Sequence, residues 1–171
     1  MNFIDVNQNL SLKKLDKHNN KDIWLAETLD NDQKVFGSEG FLYSIKNILI
    51  QPYYLNKEGP YGIPYGIYYD HKNPIGYLEV SDIFTENQTV FLDYALIKEQ
   101  RGKGYMCNTL IGTSNKIFED KINKVKKIEL MIDPDNIDSK KTASNAGFTY
   151  EEHDENGFEI YQLTKNKRIQ K

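Results

Sequence analysis

The strongest chemical signal in the chain is the run Glu99-Gln100-Arg101-Gly102-Lys103-Gly104-Tyr105. It follows an apolar stretch, Val90 to Ile97, and leads into an amphipathic one, Met106 to Phe118. A strand that turns through two glycines into a helix start is built to hold a phosphate. The first-turn N–H groups lack intrahelical partners, and the helix dipole favours an anion there. Glycine has no Cβ, so a ligand can come close to the backbone. Arg101, one of only two arginines in the chain, and Lys103 add positive charge. A phosphate-bearing cofactor is therefore expected on the segment from Arg101 to Met106. The Gly-Lys-Ser/Thr ending of an ATP-type loop is absent.

A second chemical signal is a carboxylate in an apolar strand. Asp93 interrupts Val90 to Ile97. Burial there would raise its pKa toward the range useful to a general base. The alternative, a structural Asp bonded to a neighbouring backbone group or lysine, has equal standing. Glu79 and Glu129 are weaker candidates, since each fits the solvated face of an alternating strand. Asp133 fits turn chemistry. His18, His71 and His153 are spaced like no metal site, so no metal is expected. The single cysteine, Cys107, excludes an internal disulfide and fits packing better than catalysis.

These residues need elements to position them. Leu10 to Leu15 alternates as a first strand. Asp16 to Leu29 reads as a helix with Ile23, Trp24 and Leu25 inward, and Phe41 to Ile50 as a second helix. Tyr53 to Pro64 reads as a loop, opening a tyrosine-rich stretch to Tyr69 that suits strand packing, with a few rings left for a pocket wall. Tyr65 to Tyr69, Ile75 to Ile83 and Val90 to Ile97 form a strand meander with turns at Asp70 to Pro74 and Glu86 to Gln88. The next helix buries Met106, Leu110, Thr113 and Ile117. A strand, Lys127 to Ile132, leads to a helix capped by Asp135 or Asn136, running to about Ala146 and ended by Gly147. Phe148 to Glu151 and Phe158 to Leu163 close the chain as a hairpin, before a frayed basic tail from about residue 165 to 171. The order argues for a mixed α/β sheet with helices on both faces.

With 171 residues, one domain is expected. Charged residues are 27%, the apolar set is 39% and the net charge is -3, which argues against general nucleic-acid affinity. No apolar run approaches the roughly 20 residues needed to span a bilayer. A cytoplasmic setting fits, as does a monomer or homodimer.

The sequence resembles the GNAT acetyltransferase superfamily. Arg101-Gly102-Lys103-Gly104-Tyr105 looks like that family's pyrophosphate loop. Asn136-Ile137-Asp138-Ser139, followed by Ala146-Gly147-Phe148, looks like its next motif, and the strand order agrees along almost the whole chain. The Ser139 version looks most like the branch with ribosomal-protein N-terminal alanine acetyltransferases, which also holds enzymes acting on small amines. The resemblance implies a single-domain, mostly antiparallel sheet with a V-shaped splay between two parallel strands. It implies transfer of an acetyl group from acetyl-CoA to a primary amine, without a metal. The backbone from Tyr94 to Ile97 would splay away and pair with the pantetheine amides. An N–H at Leu96 or Ile97 would polarise the thioester carbonyl. Asn136 and Ser139 would bond the pantetheine arm.

Two positions depart from the family pattern. Glu99 stands where the family's loop usually begins with Gln or Arg. Ala143 stands where many members carry a Tyr that protonates the leaving thiolate. Ser139, Ser144 or a water is left for that task. The expected acceptor is a small-molecule amine or amino acid, with a protein N-terminus second. A CoA-binding regulatory protein without turnover and a nucleotide-binding protein are the rivals from other classes.

Overall fold

The computed structural model describes residues 4–32, 62–81, 88–121 and 124–167. Eight strands among them form one sheet in the order β1-β2-β3-β4-β5-β6-β8-β7. The strands are β1 (Ile4–Asp5), β2 (Leu10–Lys14), β3 (Ile63–Tyr69), β4 (Asn73–Ser81), β5 (Thr89–Leu96), β6 (Lys127–Ile132), β7 (Thr149–His153) and β8 (Glu159–Thr164). Every neighbouring pair is antiparallel except β5 and β6, which run parallel. The helices are α1 (Asn20–Asp30), α2 (Tyr105–Glu119) and α3 (Ile137–Asn145).

Strand alternation sends side chains to two covered faces. On one face, Met106 and Leu110 of α2 and Ala143 of α3 pack with Leu12, Leu78, Leu92 and Leu130. On the other, Leu25, Ala26 and Leu29 of α1 pack with Leu15, Tyr77 and Ile97. Sheet residues are thus apolar on both sides near the centre, as expected of Val90 to Ile97.

The sequence places most elements within a few residues, with instructive exceptions. The first helix begins at Asn20 rather than Asp16, because the Asn19 side chain caps it by accepting from the Lys21 and Asp22 N–H groups. Trp24 does not face inward; it is 48% exposed, and the buried stripe is Asp22, Leu25, Ala26 and Leu29. The α2 stripe likewise ends on Phe118, 1% exposed, with Ile117 only half-buried. Ile63 and Pro64, expected in a loop, open β3. The two-residue β1 was not anticipated; it pairs with Leu12 and Ser11 of β2. The expected helix from Phe41 to Ile50 and most of the loop before Ile63 lie outside the described residues, as does most of the turn at Glu86.

One buried polar cluster pins α1 to the sheet. Lys13 Nζ lies 2.8 Å from Asp22 Oδ2, with the two residues 5% and 0% exposed. The Asp16 N–H donates to the same oxygen at 3.0 Å, and the Tyr68 hydroxyl donates to the other oxygen. Burial, then the Asp22 carboxylate, hold the Tyr68 hydroxyl well above its usual pKa. Removing one partner strands a charge in the interior. Asp22→Ala should therefore cost about 3–5 kcal/mol in a urea titration; a loss below about 1 kcal/mol would mean that Lys13 finds water once its partner is gone.

Candidate functional site

The parallel pair is short. β5 and β6 are in register only at Thr89 with Lys127, Val90 with Ile128 and Phe91 with Glu129. Beyond that point β5 stays on β4 as far as Leu96 opposite Gly76, and β6 stays on β8 as far as Ile132 opposite Glu159. The inner edges therefore part, earlier than the expected Tyr94. In an antiparallel ladder successive residues turn their N–H and C=O groups to opposite sides. The Ile97 N–H donates to the Ile75 carbonyl at 3.0 Å, so Ile97, Ala95 and Asp93 face β4. Leu92, Tyr94 and Leu96 consequently turn their backbone groups into the gap. By the same alternation, the Lys165 N–H on the Lys126 carbonyl leaves Met131 facing the gap from β6. This corrects one expectation. Ile97 has no N–H to offer a carbonyl in the gap, whereas Leu96 does.

The glycine loop lies at the end of β5. Lys98–Gln100 forms a short 3-10 turn, and Gly102 and Gly104 adopt φ of 74° and 76°. Gly104 is the N-cap of α2 and supplies no side-chain cap. A Cβ at either glycine would meet no atom within 4 Å. Internal packing therefore does not demand glycine; the left-handed backbone and an open cradle do. Tyr105 leans on Tyr69 with ring centroids 5.5 Å apart, and Met106 is in the core, so both side chains anchor the helix start.

Arg101 has partners that the sequence did not indicate. Its Nε donates to the Leu96 carbonyl at 3.0 Å, and its Nη2 lies 2.7 Å from Asp32 Oδ2, just past the end of α1. Its backbone N–H donates to the Lys98 carbonyl at 3.3 Å. The guanidinium thus braces the loop against β5 and α1. Lys103 is exposed, with Nζ 3.0 Å from Gln100 Oε1. Glu99 is exposed, as expected.

On the α1 face, Asp93 stands directly across from Glu79 in the β4–β5 register. Side chains so paired have Cβ atoms about 4.5–5.5 Å apart. The Tyr77 hydroxyl donates to Glu79 Oε2. A Cβ at Gly62 would collide with the Glu79 carboxylate, so that glycine makes room for it. Burial first, then the Glu79 charge, push the Asp93 carboxyl up to about 6. The Tyr77 hydroxyl is pushed far above its usual value by burial, then by Glu79, with Asp93 and Asp30 adding to the effect. Glu79 is therefore not on a freely solvated face. Glu129 is already engaged, by Lys127 at 2.8 Å and Gln162 at 3.2 Å. Asp133 is turn chemistry, accepting from the Asp135 N–H at 2.8 Å.

On the α2–α3 face, Asn136 Oδ1 caps α3 by accepting from the Ser139 N–H at 3.1 Å. Its side-chain oxygen is committed to the helix. Ser139 Oγ lies 2.6 Å from the Tyr94 hydroxyl, a contact invisible in the sequence because it spans 45 residues. Ala143 is completely buried. Gly147 has φ of 91°, and Phe148 packs in the core with its N–H on the Ala143 carbonyl at 3.1 Å. The second motif therefore works as a helix with both ends capped. Among the described residues, no three His, Cys, Asp or Glu side chains converge as metal ligands, and no helix is long and apolar enough to cross a membrane.

The family model of an acetyltransferase (GNAT) domain matches residues 22–149. The chain belongs to the GNAT acetyltransferase family. No curated protein sequence matches this GNAT chain at a significant level. Solved structures share its fold at low identity. An aminoglycoside acetyltransferase AAC(6')-Ib in complex with coenzyme A is 20% identical, with a TM-score of 0.72 over 92% of this chain and 96% of that one. A spermidine N-acetyltransferase chimera involving Vibrio cholerae is 16% identical, at 0.74 over 94% and 98%. A ribosomal-protein α-N-acetyltransferase, RimL, in complex with coenzyme A is 18% identical, at 0.72 over 95% and 98%. The expected mixed sheet with one parallel pair is the GNAT fold, and the gap beyond Phe91 is its splay.

The bracing role of Arg101 can be separated from a charge role by calorimetry with coenzyme A. Arg101→Lys keeps the charge but loses the fork to Leu96 and Asp32. It should weaken binding about as much as Arg101→Ala. Wild-type affinity in the Lys variant alone would assign Arg101 to direct charge attraction.

Proposed function

We propose that this GNAT enzyme transfers the acetyl group of acetyl-CoA to a primary amine on a small cationic molecule or amino acid. The observation that carries the acceptor class is the Glu79–Asp93 pair, opposed across the ladder on the α1 face. Two carboxylates at that spacing attract an ammonium group and disfavour an anionic acceptor. Their environments differ. Tyr77 donates to Glu79, which fixes that carboxylate in place. Asp93 is raised by burial and by its neighbour. The two can divide the work, Glu79 holding the cation and Asp93 taking the proton.

The residues for the co-substrate fit its chemistry. The N–H groups from Gly102 to Met106 suit the pyrophosphate, in a cradle that a Cβ would fill. Backbone groups of Leu92, Tyr94 and Leu96 suit the pantetheine amides. The Leu96 N–H is the donor we assign to the thioester carbonyl, where charge develops on the oxygen during attack. Ser139 and the backbone around Asn136 line the far side. Binding by Arg101 and Lys103 is then secondary to the main-chain amides.

Activity should depend on pH through Asp93. The base works only when ionised, so kcat/KM should fall as pH drops below about 6. Asp93→Asn should remove that limb along with most of the rate, by the 10²–10⁴-fold typical of a lost general base (about). Stability should move the other way. The folded pKa lies above the usual carboxylate value, so the ionised group costs stability as pH rises from about 4 to about 6. Thermal melts of Asp93→Asn should lack that slope. An Asn variant with an unchanged pH–rate profile would remove Asp93 from the chemistry.

Gly104→Asp tests the loop. The left-handed backbone makes any side chain cost about 1–2 kcal/mol, yet space is open, so the fold should survive. Coenzyme A binding should fall at least tenfold in calorimetry. Unchanged affinity would dismiss the cradle.

The acceptor is tested by steady-state acetyl-CoA consumption with panels of polyamines, aminoglycosides, amino acids and N-terminal peptides. Turnover confined to peptides would replace the small-molecule reading with a protein N-terminus. Binding of coenzyme A without any turnover would favour the regulatory alternative.

A further inference from the structure

The last peptide of β5 is held from both ends. Its N–H, from Ile97, donates to the Ile75 carbonyl of β4 at 3.0 Å. In a trans peptide the C=O, from Leu96, points the opposite way. It faces the gap and accepts from Arg101 Nε at 3.0 Å. The Leu96 N–H leaves the same residue on the same side. The direction of that donor is therefore tied to the peptide that Arg101 holds.

Arg101 is itself aimed by a third residue. Its Nη2 lies 2.7 Å from Asp32 Oδ2, and the two side chains are only 30% and 18% exposed. Asp32 stands on a fixed support just past α1. Its N–H donates to the Leu29 carbonyl at 3.0 Å, and Leu29 is completely buried. Reaching a carbonyl and a carboxylate at once takes a group with donors in fixed, diverging directions. The guanidinium fork has them, and a lysine ammonium on its flexible stem does not. Only two of the 22 Lys and Arg residues are arginines, and one stands here. The arrangement also matters electrostatically. Negative charge develops on a thioester oxygen under attack, and bare lone pairs on the Leu96 carbonyl would repel it. Arg101 covers those lone pairs, and Asp32 keeps the guanidinium on them.

We infer that Asp32 is a positioning residue for acetyl transfer: through Arg101 it fixes the Leu96 peptide so that the Leu96 N–H meets the thioester oxygen. This rests on the acetyl-CoA reading above and on Leu96 as the donor. Asp32 acts through Arg101 and not on the reacting atoms. A carboxylate beyond the end of α1 thereby sets the geometry of a main-chain donor on β5.

Infrared difference spectroscopy on acetyl-CoA with an isotope-labelled carbonyl reads the donor directly and needs no acceptor. Bound to the wild-type chain, the labelled C=O band should lie below its position in free acetyl-CoA, because a hydrogen bond to the oxygen weakens the double bond. Asp32→Asn keeps the shape but loses the ion pair, so the band should return toward the free position. Asp32→Glu should retain part of the shift. With whichever amine the wild type acetylates, Asp32→Asn should lower kcat about 10–100-fold, as a misplaced group does. The Nε bond to Leu96 and both glycines remain, so coenzyme A affinity should fall less than about fivefold in calorimetry. Asp32→Asn combined with Arg101→Lys should be no slower than Arg101→Lys alone, the mark of residues that act as a unit. Thermal melts check that each variant folds. A shifted band in wild type that is equally shifted in Asp32→Asn, with kcat unchanged, overturns the role of Asp32 and leaves the acetyl-CoA reading intact. Equal falls in coenzyme A affinity and kcat also overturn it, since Asp32 would then only support the loop. An unshifted band in the bound wild type removes Leu96 as donor and this inference with it. Failure of the wild type to bind acetyl-CoA at all sinks the cofactor reading itself.

Discussion

The site depends on a parallel ladder that stops. Three register positions join β5 to β6, and then each strand follows its antiparallel partner instead. An antiparallel pairing is the more stable per residue, and the sheet's twist turns neighbouring strands away from each other. Backbone groups on the two inner edges then need partners that the protein does not supply within the sheet. In a globular interior, unpaired N–H and C=O groups are costly. An amide-bearing ligand that lies between the strands completes the sheet as a third edge would. The phosphate cradle at the head of α2 is where such a ligand would be anchored, because β5 runs directly into it.

Sheet geometry then divides the chemistry between two faces. Alternation places Asp93 on the α1 side and Tyr94 on the α2–α3 side, one residue apart. The Glu79 and Asp93 carboxylates gather on the first face, and the Tyr94 and Ser139 hydroxyls on the second. Arg101 ties these halves together, holding the Leu96 carbonyl with one nitrogen and Asp32 beyond α1 with another. The glycine loop is thereby fastened to α1, the helix on the carboxylate face. The Lys13–Asp22–Tyr68 cluster fixes the other end of that helix to the sheet. A buried ion pair of this kind contributes orientation more than stability, since desolvation offsets most of its attraction.

Several details that local patterns miss share a cause. Hydrophobicity places Trp24 inward, yet Asp22 takes the buried position because Lys13 and Tyr68 meet it there. Arg101 reads as a free charge in the loop, and the structure pairs it with Asp32 and the Leu96 carbonyl. Asn136 turns its side-chain oxygen to the cap of α3. In each case a residue's type is legible and its partner is not. Partners lie 9 residues away for Lys13 and Asp22, and 69 for Arg101 and Asp32. No local pattern reports such separations.

By itself, the amino-acid order determined what is local. The glycine loop, the Asn cap and Gly147 stop of α3, the period of each element and the family all follow from neighbours within a few positions, where steric and hydrogen-bonding rules act. Only the tertiary structure decided which residues meet. It opposed Asp93 to Glu79, joined Tyr94 to Ser139, turned Leu96 rather than Ile97 into the splay, and tied Arg101 to Asp32. Those outcomes depend on strand register and on competition among distant partners, and both are settled only when the whole sheet closes.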